Sequence, residues 1–310
     1  RSPKMSLTLV TGAAGFIGSN LCKALLRSGH QVVGIDCFLP DLYSPKIKEG
    51  RTAELVRDFD KNFTFIPLDL RTSNLDILDK FDFRDVVHEA AMPGLSSNWG
   101  NFQPYYSCNI EGLHRLLEKA KNWQLKSFVH ASTSSVYGIN AVGNESESLQ
   151  PTSPYGVSKL AAENLLFAYR TWYNLPVKIL RYFSVYGPNQ RPDMAFSKLI
   201  DAILQNRDFT LFGDGKQSRS NTYIDDVVEA TILALSKGES GDIFNICGAE
   251  TRSMLEVFDL LENISGRKIR LIVEAKRRGD QQTTSGSSVK ARKILGWEPK
   301  RSEEHTSELQ

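Results

Sequence analysis

The sequence predicts an α/β protein with a doubly wound parallel sheet, on three observations. Apolar segments of strand length alternate with helical patterns through the first half of the chain, and this alternation is typical of parallel sheets. A glycine-rich turn joins the first predicted strand to the first predicted helix. The composition, with 41% hydrophobic and 24% charged residues among 310, is that of an ordinary globular protein.

The first strand and helix are joined by regularly spaced glycines. Residues 7–10 form a short apolar run, Gly12, Gly15 and Gly18 follow it, and a helical pattern begins at Asn20. Glycines allow a tight turn and a close approach to a pyrophosphate, whose charge the N-terminus of the helix stabilises. The order of strand, turn and helix therefore predicts a Rossmann-like dinucleotide site.

An acidic residue follows the second predicted strand. Residues 32–35 form an apolar run that ends at Asp36. A carboxylate at this point can accept a hydrogen bond from a ribose 2′-hydroxyl and would repel a 2′-phosphate, which favours NAD over NADP. The alternative is that Asp36 only caps a loop. Further strands are predicted at residues 63–70, 85–91 and 127–131.

Hydroxyl side chains follow the strand predicted at residues 127–131. The four residues from Ser132 to Ser135 all carry a hydroxyl group. Ligands of open parallel sheets bind at the carboxyl ends of the strands, so a hydroxyl here can hold a substrate oxygen during proton transfer. The alternative is an ordinary polar loop.

Tyr155 and Lys159 are the pair that best indicates chemistry. Residues four apart share one face of a helix, so the Lys159 ammonium is expected beside the phenol, where its charge lowers the phenol pKa. Such a pair can move a proton on or off a hydroxyl. By itself the spacing also fits a solvated surface pair. The glycine turn and the hydroxyl segment favour the catalytic interpretation.

Composition and charge argue against several other classes. The formal charge of +2 is too small to indicate a nucleic acid or a membrane surface as partner. No apolar run reaches the roughly 20 residues that a membrane span needs, and a cytoplasmic protein is expected. Neither histidines nor cysteines show ligand spacing, so no metal is predicted and the cysteines are expected to be reduced. The cysteines are Cys22, Cys37, Cys108 and Cys247.

The combined motifs resemble one protein family. The sequence is similar to extended short-chain dehydrogenase/reductases that act on nucleotide sugars, over about residues 5–300. The residues that carry the resemblance are Gly12, Gly15, Gly18, Asp36, Asp69, Leu70, Ala90, Ala91, Asn109, the segment 132–138, Tyr155, Lys159 and the segment 181–183.

The resemblance implies an NAD-dependent enzyme with two lobes. The expected division is an NAD-binding domain at residues 5–180 and a smaller α/β lobe at 181–300, mainly for the nucleotide sugar, with some segments returning to the first sheet. A homodimer is implied, paired through helices near residues 105–122 and 155–173. The implied catalytic trio is Thr133, Tyr155 and Lys159. The implied NAD-binding residues are Gly12, Gly15, Phe16, Ile17, Gly18, Asp36, Asp69, Leu70, Ala90, Ala91, Asn109, Ser132, Tyr155, Lys159 and Tyr182.

The residue at position 135 separates the reactions of this family. Its dehydratases carry Asp-Glu after the catalytic threonine, and its UDP-glucuronate decarboxylases carry glutamate at the position of Ser135. Serine there implies epimerisation at C4 of a UDP-sugar through a 4-keto intermediate. Tyr155 would take the C4 hydroxyl proton, Thr133 would orient that oxygen, and NAD would store the hydride. The alternatives are a net oxidoreductase or decarboxylase of UDP-glucuronate and a catalytically silent NAD-binding regulator.

Two later segments narrow the substrate. Residues 183–188 and 191–195 resemble bacterial UDP-glucuronate 4-epimerases more than UDP-glucose or UDP-N-acetylglucosamine 4-epimerases. A 4-keto uronate loses carbon dioxide readily, so an epimerase has to hold the carboxylate out of alignment with the carbonyl. The residues implied for this are Ser134, Ser135, Ser184 and Arg191, although a loop salt bridge or a diphosphate contact would also suit the arginine. Pro93, Arg219, Arg277 and Asp280 are implied as further nucleotide-sugar contacts.

A few features depart from the family pattern. Ser96 stands where the uronate enzymes commonly carry arginine, and Ser220 and Asn221 replace a usual Asp-Phe pair. Residues 281–288 lack the aspartate that usually precedes the last helix. Residues 301–310 resemble translated sequencing-adapter DNA, so this tail and residues 1–4 are expected to be foreign to the protein.

Overall fold

Alternating strands and helices make up the computed structural model, which describes residues 7–40, 42–94 and 99–300. The strands are β1 (Leu7–Thr11), β2 (Gln31–Asp36), β3 (Phe63–Pro67), β4 (Asp85–His88), β5 (Ser127–Thr133), β6 (Asn140–Gly143), β7 (Val177–Tyr182), β8 (Val185–Tyr186), β9 (Asp208–Phe212), β10 (Ser218–Ser220), β11 (Thr222–Tyr223), β12 (Ile243–Ile246), β13 (Thr251–Ser253), β14 (Arg270–Glu274) and β15 (Thr283–Gly286). The helices are α1 (Phe16–Arg27), α2 (Pro45–Phe59), α3 (Gln103–Tyr105), α4 (Gly112–Ala120), α5 (Pro154–Tyr173), α6 (Ala195–Gln205), α7 (Ile224–Ser236), α8 (Met254–Ser265) and α9 (Val289–Leu295). A π-helical segment, Tyr106–Glu111, joins α3 to α4, and 3₁₀ turns lie at Leu75–Lys80 and Ser134–Tyr137.

The main sheet contains seven parallel strands in the order β3-β2-β1-β4-β5-β7-β12. Leu9 of β1 pairs with Val33 of β2 on one side and with Val86 of β4 on the other. The strand order therefore reverses direction beside β1, and sheets of this kind bind ligands in the crevice at that point. The predicted doubly wound parallel sheet is confirmed.

Helices cover both faces of the main sheet. On one face, α4 and α5 bury Leu113 and Leu166 in a cluster with Phe128 of β5. On the other face, α1 and α7 bury Leu21 and Val228. Burial of each such side chain contributes roughly 1.5–3 kcal/mol, so these contacts fix the sheet edge from which the functional side chains project.

A second lobe is formed mainly by residues that follow β7. Its four-stranded sheet has the order β13-β10-β15-β6, and a separate apolar cluster joins α6, β9 and α8. Late in the chain, β12 and α9 return to the main sheet, where Trp297 is buried in one cluster with Leu180 and Phe244. The boundary expected between residues 180 and 181 stays a prediction.

The structure corrects some element boundaries. β3 ends at Pro67 and β4 at His88, whereas the sequence pattern extended these strands to residues 70 and 91. After β3, the carbonyl of Asp69 accepts hydrogen bonds from the backbone of residues 72 and 73, which turns the chain away from the sheet. β5 continues through Thr133 because its last residues still pair with β7. α1 begins earlier than predicted, at Phe16.

Candidate active site

A cavity of about 460 Å³ opens at the carboxyl edge of the main sheet. It lies where the strand order reverses, and its volume is in the ordinary range for small-molecule sites. Most of the residues predicted for cofactor and catalysis line it. These are Gly12, Gly15, Phe16, Ile17, Gly18, Asp36, Asp69, Leu70, Ala90, Ala91, Pro93, Ser132, Thr133, Ser134, Ser135, Tyr155, Lys159, Tyr182, Ser184 and Arg191.

The glycine turn forms one wall of this cavity and leaves no room for side chains. Gly12 has a φ of 69°, and a Cβ atom there would lie 2.8 Å from the backbone nitrogen of Ala90. A Cβ atom on Gly18 would lie 2.0 Å from the carbonyl oxygen of Gly12. Glycine is therefore required at both positions. The bare backbone can meet a pyrophosphate at the N-terminus of α1.

Asp36 connects the end of β2 to the glycine turn. Its Oδ2 accepts a hydrogen bond from the Ala14 amide at 3.1 Å, and its Oδ1 accepts one from the Phe38 amide at 2.9 Å. Each carboxylate oxygen can accept more than one hydrogen bond. Asp36 therefore caps the loop after β2, which was the alternative interpretation, and keeps the capacity to bind a ribose hydroxyl.

Strand β5 and helix α5 bring the threonine and the tyrosine of the predicted trio together. Tyr155 lies in the first turn of α5, whose start is capped by Ser153: its Oγ accepts a hydrogen bond from the Gly156 amide at 3.0 Å. Thr133 is the last residue of β5, and its hydroxyl lies close enough to Tyr155 to lower the pKa of the phenol. A hydroxyl pair of this kind can hold and deprotonate a substrate hydroxyl.

The pKa of Tyr155 differs from the sequence expectation. Burial raises this pKa above its usual value, while the Thr133 hydrogen bond and the charge of Arg191 oppose the increase. The Lys159 ammonium donates to the Ala131 carbonyl at 2.5 Å and lies 3.4 Å from His130 Nε2. Arg191, rather than Lys159, is therefore the cation that lowers the phenol pKa most.

A buried ion pair lies beneath the cavity. Two guanidinium nitrogens of Arg181 donate to the two carboxylate oxygens of Glu163 at 3.0 and 2.7 Å, and both side chains are almost fully buried. Ser132, a predicted NAD contact, lines the cavity but donates its hydroxyl proton to Glu163. Loss of either charge would leave its partner buried and unpaired.

Burial lowers the pKa of Lys159 to about 8. The negative charges of Glu89 and Glu163 oppose this decrease.

Asn109 positions the cavity wall and is not among the described residues that line it. Its Oδ1 accepts a hydrogen bond from the Met92 amide at 2.7 Å, and its Nδ2 donates to the Met92 carbonyl at 3.0 Å and to Ser158 Oγ at 2.9 Å. Two residues later, Gly94 lies so close to the Tyr155 ring that a Cβ atom would be 3.0 Å from it. Asn109 thus acts on the predicted site through the segment beside the phenol.

An adjoining cavity of about 950 Å³ extends from the first one into the second lobe. The lining residues that the two cavities share are Gly94, Ser184, Val185, Arg191, Met194 and Gln281. The remaining residues predicted to bind the nucleotide sugar, Arg219, Arg277 and Asp280, line the second cavity. Ser96 lies outside the described residues.

The arginines of the second cavity have partners within the protein. Arg219 donates to the carbonyls of Gln281 and Gln282 at 2.5 and 3.2 Å. The Arg277 guanidinium lies 4.0 Å from the ring centroid of Phe212 and 3.3 Å from the Asp280 carboxylate. These contacts orient both guanidinium groups in the second cavity. Each guanidinium carries five N–H donors, which suit a diphosphate.

Sequence reasoning missed Gln281, which lines both cavities. Its Nε2 donates to the carbonyls of Ser134 and Gly138 at 3.1 and 2.8 Å, and its Oε1 accepts from Ser134 Oγ at 3.2 Å. Gln281 directly follows Asp280, a predicted nucleotide-sugar contact, and this position could have indicated that it lies in the site. Glu89, Tyr43 and Lys48, which also line the first cavity, had none.

The cysteines are free thiols, and Cys22 and Cys247 are buried. Cys37 and Cys108 line the first cavity. In the ranges that the structure describes, no three His, Cys, Asp or Glu side chains group as metal ligands would.

Comparison with known proteins identifies relatives along almost the whole chain. Residues 8–247 match the model of the NAD dependent epimerase/dehydratase family. The chain is 46% identical over 297 residues to a Bacillus subtilis protein named "Uncharacterized UDP-glucose epimerase YtcB", which covers 94% of this chain and 92% of that protein. It is 36% identical over 300 residues to the UDP-glucuronate 4-epimerase of Thermodesulfobacterium geofontis, covering 95% and 92% respectively. The crystal structure of UDP-glucuronic acid 4-epimerase from Bacillus cereus, in complex with UDP-glucuronic acid and NAD, matches with a TM-score of 0.93 and 42% identity, covering 98% of this chain and 97% of that one.

Proposed function

Because the chain belongs to the NAD dependent epimerase/dehydratase family, we propose that it interconverts UDP-glucuronate and UDP-galacturonate by epimerisation at C4. The observation that carries the proposal is the meeting of Thr133, Tyr155 and Lys159 in one cavity with the glycine turn. The similarity to an epimerase whose crystal structure contains UDP-glucuronic acid and NAD supports the substrate and the cofactor.

The residues at the first cavity fit NAD. The backbone at Gly12 and Gly18 lies bare where side chains would clash, which suits a pyrophosphate. Asp36 keeps acceptor capacity for a ribose hydroxyl. When bound, NAD supplies a hydride acceptor that can return the same hydride to the sugar, so the net redox change is zero and the cofactor is expected to stay bound.

Tyr155 serves as the general base and then the general acid at the C4 oxygen. It takes the hydroxyl proton as the 4-keto sugar forms and returns it to the epimer, while Thr133 orients that oxygen. Burial raises the pKa of the Tyr155 hydroxyl, so a base at neutral pH needs positive charge close to it. Arg191 supplies part of that charge, and Lys159 is proposed to supply more once the cofactor cavity is filled.

The carboxylate of the substrate is proposed to lie where the two cavities meet. Ser184 and Arg191 line both cavities at this junction, and Ser134 and Ser135 line the first. Hydrogen bonds from Ser135, Ser184 and Arg191 can hold a carboxylate away from the alignment in which a 4-keto uronate would lose carbon dioxide. The Ser134 hydroxyl donates its proton to Gln281 in this structure and would have to turn to join them. Ser135 offers no carboxylic acid for the elimination that dehydratases of the family perform.

A second candidate function is UDP-glucose 4-epimerisation. It is favoured by the name of the 46% identical Bacillus subtilis relative. The same trio would catalyse this reaction, so the two candidates differ only in what occupies the junction of the cavities.

The test is incubation of the purified protein, without added NAD, with UDP-glucuronate and in parallel with UDP-glucose. Products are separated by ion-exchange chromatography and identified by NMR. UDP-galacturonate supports the first candidate, and UDP-galactose alone supports the second. UDP-xylose or UDP-arabinose would identify a decarboxylase. Absence of turnover with these two substrates and with UDP-N-acetylglucosamine would leave only a non-catalytic NAD-binding role. Tyr155→Phe serves as the inactive control.

The proposal includes a homodimer in the cytoplasm. The segments near residues 105–122 and 155–173 carry exposed aromatic residues, with Trp172 80% exposed and Tyr106 44% exposed, and such surfaces are typical of interfaces. Free cysteines suit a reducing compartment. Within the described residues, none of the helices has the length and apolar character needed to cross a membrane.

A further inference from the structure

Glu89 is a carboxyl group in the first cavity that the proposed reaction does not use. It follows β4 directly and lines the cavity together with Gly12, Lys159 and Tyr182. The protein surrounds the side chain apart from the face that it turns to the cavity. A carboxyl group in this place contributes either a full negative charge or none, so its protonation state matters for any charged ligand in the cavity.

A chain of hydrogen bonds connects Glu89 to helix α7. Glu89 Oε1 lies 2.7 Å from the Tyr182 hydroxyl oxygen, and Tyr182 lies 2.7 Å from Thr231 Oγ1. Thr231 Oγ1 in turn lies 2.8 Å from the Val227 carbonyl, to which it can donate. Each hydroxyl has a single proton to donate, so the direction of this chain is fixed by how many protons it holds.

The hydroxyl protons can be arranged in two ways, one for each protonation state of Glu89. If Thr231 donates to Val227, Tyr182 donates to Thr231, and Glu89 completes the chain only when it is protonated and donates to Tyr182. If Glu89 is ionised, Tyr182 donates to it and Thr231 turns its proton to Tyr182. The geometry therefore accommodates both states of Glu89 with a small rotation of hydroxyl protons.

Titratable and charged groups face Glu89 from each neighbouring element. Lys159 and Tyr155 face it from α5, Tyr182 from β7 and Cys22 from α1. Burial raises the pKa of Glu89 to about 7, against the hydrogen bond from Tyr182 and the positive charge of Lys159. Both states are thus accessible near neutral pH.

We propose that Glu89 is a proton-controlled charge in the cofactor cavity, and that its ionised form makes the protein prefer oxidised NAD over NADH. The inference rests on the proposed function in one respect, namely that NAD is the cofactor. The nicotinamide of NAD+ carries a positive charge that NADH lacks, so a nearby carboxylate stabilises the oxidised form selectively. Mildly acidic conditions neutralise Glu89 and weaken the preference.

The test compares dissociation constants of NAD+ and NADH for the full chain after its bound NAD has been removed, measured by calorimetry at pH 5.5 and 7.5. Burial lowers the pKa of Lys159 to about 8, so a part of this lysine also loses its proton near pH 7.5, and the Glu89→Gln variant measures that contribution separately. In the wild type, we expect the dissociation constant of NADH divided by that of NAD+ to increase roughly tenfold from pH 5.5 to pH 7.5. A change of this size is expected when one negative charge is added close to the nicotinamide. In Glu89→Gln, which keeps the size and an acceptor for Tyr182, the ratio should change with pH only through Lys159.

A second variant covers the case in which Glu89→Gln does not fold. Tyr182→Phe removes the donor to the ionised carboxylate, so the midpoint of the change in ratio should move to higher pH while its amplitude is kept. A purely structural role of Glu89 would move neither midpoint nor amplitude. An equal pH dependence in the wild type and Glu89→Gln, or an unmoved midpoint in Tyr182→Phe, overturns the inference.

The outcome is independent of the epimerase assay. If the ratio of the two dissociation constants changes with pH as expected but the protein converts no UDP-sugar, the role of Glu89 is supported and the proposed reaction is wrong. If the protein converts UDP-glucuronate but the ratio of the two dissociation constants does not change with pH, the reaction is supported and the proposed role of Glu89 is wrong. A protein that binds neither dinucleotide would overturn both.

Discussion

Arg191 and Asp193 form a side-on pair, in which Arg191 Nε donates to Asp193 Oδ1 at 2.9 Å and Arg191 Nη2 donates to Oδ2 at 3.0 Å. The pair occupies one edge of the guanidinium and leaves the N–H groups of the other edge for a ligand. Because Arg191 lines both cavities, Asp193 fixes the orientation of a cation at their junction.

Asp193→Asn is expected to reduce kcat/KM for UDP-glucuronate roughly tenfold, because a neutral amide holds Arg191 more weakly. The value for UDP-glucose should change much less, since that substrate has no carboxylate to orient. Asp201→Asn, which breaks an exposed pair with Arg207, is the control and should leave both values unchanged. Equal losses for both substrates would show that Asp193 does not act through carboxylate recognition.

Tyr155→Phe is expected to lower kcat by at least about 10³-fold, because it removes the group that carries the C4 proton. Bound NAD, measured after denaturation of the purified protein, should remain. Tyr173→Phe makes the same change at the exposed end of the same helix and should leave activity intact. Appreciable turnover by Tyr155→Phe would exclude Tyr155 as the acid and base.

Gly18→Ala is expected to abolish NAD binding, because its Cβ atom would lie 2.0 Å from the Gly12 carbonyl oxygen and force the turn open. Gly50→Ala is the matched control: it lies within α2, where a Cβ atom meets nothing within 4 Å. That variant should bind NAD normally and raise the free energy of unfolding by up to about 1 kcal/mol. Calorimetry with NAD and urea unfolding measure the two effects, and normal binding by Gly18→Ala would contradict the proposed pyrophosphate site.

Acid is expected to destabilise the protein through buried imidazoles. Burial lowers the pKa of His88 from 6.5 to about 3, and it also lowers the pKa of His130. The folded state therefore binds fewer protons than the unfolded state below pH 6.5, and stability falls as the pH is lowered. Between pH 7.5 and 5 the loss due to His88 should be about 2 kcal/mol.

Urea unfolding of the wild type and His88→Leu at these two pH values measures that loss. His88→Leu also loses the hydrogen bond between His88 Nδ1 and Thr11 Oγ1, which are 2.7 Å apart. Because this loss is the same at both pH values, only the difference in free energy of unfolding between the two pH values is compared. An undiminished pH dependence in His88→Leu would show that His88 is not a source of acid lability.

Trp172→Glu is expected to convert a dimer to a monomer, since it places a charge at an 80% exposed aromatic residue on the proposed interface helix α5. Light scattering after size-exclusion chromatography gives the mass. Val273→Glu changes a 65% exposed apolar residue on β14 and should leave the mass unchanged. A wild-type monomer, or a Trp172→Glu dimer, would remove this interface from the proposal.

The main sheet could be predicted because its signals are local in sequence. The glycine turn requires Gly12 and Gly18 for reasons of backbone geometry, and each strand shows its apolar run in a few residues. The ends of β3 and β4 could not be read in the same way, because apolar residues continue into the cavity wall after the strand has ended.

The electrostatics of the site depended on contacts between distant residues. The spacing of Tyr155 and Lys159 suggested that the lysine governs the phenol, but burial and Arg191 have the larger effects on its pKa. The contact between Glu89 and Tyr182 joins residues from β4 and β7, and nothing in either segment predicts it. Such pairings follow from the packed fold and leave no pattern in one sequence.

The return of β12 and α9 to the main sheet has a mechanical consequence. A lobe whose chain enters after β7 and leaves again through β12 is tethered at more than one point, with Trp297 buried among the main-sheet residues beyond it. These tethers restrict movement of the lobe relative to the main sheet. For the same reason, a fragment that ends before Ile243 would lose an edge strand and part of its own core, and we expect the two lobes to unfold together.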